Sequence, residues 1–133
     1  MWPFKKEAEP IPESVSNGKL SAHFDSRLKC WVIPFEGIDF HLPGIPLNEG
    51  AFTWVEEIST TLRSLSREIQ NRAEESVEIP CDKSKGRVLT VYMDSYLKSK
   101  RLEIDFGGDA SWGDLWITMV IENGVILDSF VQD

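Results

Sequence analysis

RLEIDFGGDASWGDLWITMVIENGVILDSFVQD, residues 101–133, decides the fold of this chain. Leu102, Ile104 and Phe106 alternate with Glu103 and Asp105, which is the period of a strand with one buried face. Residues 115–121 (LWITMVI) are apolar on both faces and predict a central strand. Asn123-Gly124 follows, a dipeptide suited to the two positive φ angles of a type I′ hairpin turn, so 125–131 is the returning strand. The stretch is also strongly acidic. Arg101 stands alone against Glu103, Asp105, Asp109, Asp114, Glu122, Asp128 and Asp133, a net −6 out of −8 for the whole chain.

Working outward, residues 87–93 (RVLTVYM) pair with 101–106 around a Lys-rich turn at 95–100. Upstream, 19–24 (KLSAHF) alternates Leu20, Ala22 and Phe24 with polar residues. Residues 28–35 (LKCWVIPF) and 38–42 complete a meander, with Pro34 placing its strand at an edge or bulge. Between the two groups, Phe52, Val55, Ile58, Leu62, Leu65, Ile69 and Ala73 recur at spacings of three and four. They form one apolar stripe and predict a long helix over 49–75 with Asn48 as its N-cap. Glu68 and Arg72 have the spacing of a favourable ion pair on that helix. The expected order is β-β-β-α-β-β-β-β: an α+β domain over 18–133, with an antiparallel sheet of six to seven strands and one helix across one face. Residues 1–17, with Pro3, Pro10, Pro12 and Glu7, Glu9, Glu13, read as a flexible arm.

The chain has 133 residues, enough for one domain with one core, and 27% of them are charged. The negative balance excludes phosphate-reading surfaces, which need clustered Lys and Arg, and disfavours anionic membranes. MWPFKKEAEP lacks the apolar core of a signal peptide, and no run approaches the ~18 apolar residues of a membrane helix. Cys30 and Cys81, far apart and without metal-type neighbours, read as reduced thiols, so the expected location is the cytoplasm.

The run Phe106-Gly-Gly-Asp-Ala-Ser-Trp112-Gly113-Asp114, then an apolar strand, Asn123-Gly124 and a final strand, resembles a family of small bacterial proteins of unknown function. Its members open with a β meander bearing an aromatic, here Trp31, and carry a helix between. The resemblance spans about residues 20–133. It implies the fold and a bacterial source, and it implies no activity. Members often have His after the Gly. Here that position is Asp114, so no role resting on an imidazole carries over.

The candidate partner-binding residues are Glu103, Asp105, Asp109, Trp112, Asp114 and Asp128. Trp112 beside Gly113 and between two Asp reads as a binding anchor with an acidic rim, or as a ring packed down to close the end of the sheet. His23, Asp25, Asp39 and His41 would form a metal site if their strands paired in suitable register. Glu103 and Asp105, with Asp94, would serve acid–base work or simply line a solvated face. No nucleophile–base pattern and no phosphate-binding glycine loop is present, and no cofactor is expected. The reading is a non-enzymatic acidic protein, foremost a bacterial immunity protein that binds and neutralises a basic toxin. A housekeeping scaffold domain and a small metal-binding protein are the alternatives.

Overall fold

The structure is a computed structural model that describes residues 14–82 and 84–133. Eight strands lie in one sheet in chain order: β1 (Ser14–Asn17), β2 (Leu20–Asp25), β3 (Cys30–Phe35), β4 (Ile38–Pro43), β5 (Arg87–Tyr92), β6 (Arg101–Gly107), β7 (Trp116–Glu122) and β8 (Val125–Gln132). Two four-stranded meanders are therefore laid side by side. Their turns follow the local chemistry. Glu36-Gly37 and Asn123-Gly124 both have positive φ throughout, as a two-residue hairpin turn demands. Between β2 and β3 the Asp25 carboxylate accepts the N–H groups of Arg27 and Leu28, each at 2.9 Å. That Asx turn keeps Leu28 and Lys29 out of the strand, so β3 begins two residues later than the apolar run suggests.

Between the meanders run α1 (Ala51–Ser64) and α2 (Ser66–Val77). All seven residues of the expected stripe are buried. They pack against Trp31, Ile33, Phe40, Val91, Ile104, Phe106, Ile117, Met119 and Ile121 from one face of the sheet. Each such side chain contributes roughly 1.5–3 kcal/mol on leaving water.

The expectation of one continuous helix is corrected: the run breaks at Leu65, whose φ and ψ are −95° and 2°. The cause lies in a run of hydroxyl residues that bond back to the helix carbonyls. Thr60 Oγ1 donates to Glu56 O, Thr61 Oγ1 to Glu57 O, and Ser64 Oγ to Thr61 O at 2.7 Å. Such back-bonding competes with the helical ladder and bends it. Asn48 is not the N-cap, which is Gly50. Its side chain instead accepts Gly50 N–H at 2.9 Å, in the turn just before the helix. Arg72 does not pair with Glu68; its Nε donates to Ser129 Oγ on β8. Among the described residues the ion pair present is Arg63–Glu36, at 2.7 Å.

Two further expectations are corrected. The sheet is not wholly antiparallel, because β4 and β5 pair in parallel. The helical run carries the chain back along the sheet, so β5 starts from the same end as β4. And the arm expected over 1–17 does not reach Asn17: residues 14–17 form β1, paired with β2 through Ser14↔His23 and Asn17↔Leu20. Residues 1–13 lie outside the described residues. The Lys-rich connection after β5 contains one helical turn, α3 (Tyr96–Ser99). Its Tyr96 is buried beside Trp54, and Lys100 Nζ lies 4.7 Å from the Tyr96 ring.

Candidate functional site

The helices lie on one face of the sheet, and among the described residues no element covers the other. Strand register shows what that open face carries. One row across it is Ser14, His23, Val32, His41, Tyr92, Glu103, Val120 and Asp128. The next row is Pro34, Asp39, Thr90, Asp105, Thr118 and Phe130. Neither row contains Lys or Arg; the positive side chains Arg87 and Arg101 sit at the strand ends.

The centre of this face is a hydrogen-bonded triad. Asp105 accepts from Tyr92 Oη at 2.8 Å through one carboxylate oxygen and from Thr118 Oγ1 at 2.8 Å through the other. Partial burial, the bond to Asp105 and the nearby charges of Asp105 and Glu103 push the Tyr92 hydroxyl up to about 12. The His41 ring meets Tyr92 edge-on, with centroids 5.3 Å apart. With both oxygens of Asp105 occupied, Glu103 and Asp105 do not form a free acid–base pair.

At one end the face deepens into an open groove of about 950 Å³. Leu89, Thr90, Asp105 and Trp116 line its floor. Lys85, Arg87 and Asp114 stand around it. Asp114 and Glu103 are exposed, as is Asp128 on β8.

The loop at 109–114 proves structural in two of its three candidate residues. Trp112 is 3% exposed and packs on Phe106, with centroids 6.0 Å apart. Its Nε1 donates to Ile79 O at 3.0 Å. The ring is thus core, and it presents no surface to a partner; the anchor reading of Trp112 is corrected. Gly108 lies so close beneath the ring that any side chain there would meet it. Asp109 accepts from Ser111 N at 2.9 Å and from its hydroxyl, and its second oxygen accepts Asp82 N–H at 2.8 Å. The Asp82 amide and the Ser111 donors hold its carboxyl below the ordinary value. Asp109 therefore ties two loops together.

The four residues of the proposed metal site do not assemble. Val32 separates His23 from His41 in the register, so the two strands bearing them are ~10 Å apart. Asp25 is engaged in its Asx turn. Among the described residues no group of three or more His, Cys, Asp and Glu is placed to hold a metal ion. Cys30 and Cys81 are both free and buried. Burial, then the charges of Asp25 and Asp94, push the Cys30 thiol up and keep it protonated.

Tyr92, Thr118, Trp116 and Phe130 join the open face without having been singled out in the sequence. Strand alternation puts each on a face, but only pairing register makes them neighbours of Asp105. Among the described residues no helix is long and apolar enough to cross a membrane. The chain matches no family model, no curated protein and no solved structure.

Proposed function

We propose that this chain is a non-enzymatic binding protein of the immunity type, which neutralises a basic toxin domain by covering it. The open sheet face carries the reading. Two adjacent rows, one across eight strands and one across six, hold Asp39, Glu103, Asp105 and Asp128, with no Lys or Arg between them. Tyr92 and Phe130 supply aromatic contact within the same rows. An acidic face of this kind speeds the approach of a cationic partner and rejects anionic ones. Asp105, the central carboxylate of the face, is occupied through both oxygens as a hydrogen-bond acceptor, which favours a preformed surface over a reacting one. The resemblance of residues 106–133 to small bacterial proteins supports a bacterial partner within this reading.

The test is co-expression with the products of adjacent genes, followed by association kinetics. A cationic toxin domain should co-purify. Its on-rate should fall steeply with salt, and by about tenfold in Glu103→Lys with Asp114→Lys, both exposed. Recovery of no basic protein, or an on-rate indifferent to salt and to both substitutions, sinks the reading. Capture of a neutral partner instead favours a scaffold domain.

A further inference from the structure

The sheet has two edges, and they are unlike. β1 is four residues long; β8 is eight, and no described strand pairs on its outer side. Edges of that length are usually blunted by Lys, Pro or a bulge. β8 has neither Lys nor Pro. It has one bulge, between the pairs Val120↔Asp128 and Ile121↔Ile126, which leaves residues 128–132 as a regular stretch. Within that stretch Phe130 and Val131 are each 47% exposed, on opposite faces of the strand. The Ser129 N–H is donated at 2.8 Å to the carboxylate of Asp128 beside it, so this amide faces away from β7. Alternation then turns the N–H and C=O of Val131 the same way.

We infer that residues 128–132 of β8 are a docking edge for an extended basic segment of a partner protein, which would pair as a ninth strand. Asp128 acts as the cover on that edge. Its carboxylate satisfies the Ser129 amide in the free protein, and an incoming Lys or Arg draws it away so that a partner carbonyl takes the amide. Main-chain hydrogen bonds supply affinity and alternate side chains supply choice, with Lys or Arg on the face of Asp128 and Phe130 and an apolar residue beside Val131 on the other. Charge decides the occupant. Residues 102–133 hold seven carboxylates and no Lys or Arg. A second copy of the chain would set these charges against their own kind. The inference rests on the reading of the chain as a binder of basic partners.

The probe is an octapeptide of alternating Lys and Val, titrated into the full chain and followed by amide NMR. The largest shifts and slowed exchange should fall on Ser129 and Val131, with β1 unchanged. An alternating Glu-Val peptide should not bind. Asp128→Lys should reverse that preference. Val131→Pro removes one outward N–H at an edge position where proline is tolerated, and should weaken the Lys-Val peptide about tenfold while unfolding stays cooperative. Equal binding of both peptides, shifts on β1 or across the open face, no shift at millimolar peptide, or a dimer joined through β8 overturns the proposal. If Val131→Pro still captures a basic toxin at full affinity, the edge proposal fails while the immunity reading stands. If no basic toxin is captured but the peptide preference holds, the immunity reading fails while the edge stands as a site for basic segments.

Discussion

The two faces of the sheet are built from the same strands and do opposite work. On the helix side, β6 sends down Leu102, Ile104 and Phe106, all buried. On the open side the same strand presents Glu103 and Asp105, one exposed and one half-buried. The difference teaches where substitution is felt. A residue packed on all sides loses contacts when shortened, whereas a residue on the open face has water to replace them.

Trp112 and Phe130 sharpen this contrast most. Trp112→Ala removes a buried ring and a bonded indole N–H, and should destabilise by about 3–5 kcal/mol, read from the urea midpoint. Phe130→Ala on the open face should change stability by under about 0.5 kcal/mol. A comparable loss for both would mean that the open face is packed in solution. Ser59 breaks the pattern from the other side. It lies on α1 facing the core, and its hydroxyl has no hydrogen-bond partner among the described residues. Ser59→Ala should therefore raise stability by about 1 kcal/mol; a fall would reveal a partner for that hydroxyl.

The remaining effects are those of pH. The Tyr92 hydroxyl titrates near 12 in the fold and near its ordinary value of 10 in the unfolded chain. Between those values the unfolded state has lost its proton and the folded state has not. Its contribution to stability is thus full below pH 10 and declines as pH rises to 12, and Tyr92→Phe should flatten that decline. Asp109 runs the other way. Its lowered pKa contributes above the ordinary carboxyl value and is lost on acidification, so Asp109→Asn should flatten the acid limb of the stability profile. Urea midpoints across pH check both, and an unchanged profile in either variant counts against its triad or tether.

Much of this fold was legible because its signals are local. The alternation of residues 101–106, the Asn123-Gly124 turn and the seven-residue stripe each follow from backbone periodicity, and each sits where its pattern places it. β1 escaped because Ser14-Val15-Ser16-Asn17 has one apolar residue and no period; it is a strand only because β2 lies beside it. The parallel β4–β5 pair escaped for a related reason. No residue in 38–43 or 87–92 records which strand it will meet. At the candidate site, Glu103 and Asp128 were singled out as charged residues on alternating strands, and both are exposed. Trp112 was open to two readings, and its burial decides for the ring packed down; a tryptophan or an aspartate in a loop looks the same in sequence whether it faces a partner or ties down its own chain.

The sequence by itself determined the α+β class, the position of nearly every element and the acidic character of the last quarter. Period, turn chemistry and charge act over a few residues and need no partner. Only the tertiary structure decided that Trp112 is core, that Tyr92 and Thr118 close on Asp105, and that β8 ends the sheet with no described strand on its outer side. Those outcomes depend on register between strands far apart in the chain. That register is chosen by the packing of the whole sheet against α1 and α2.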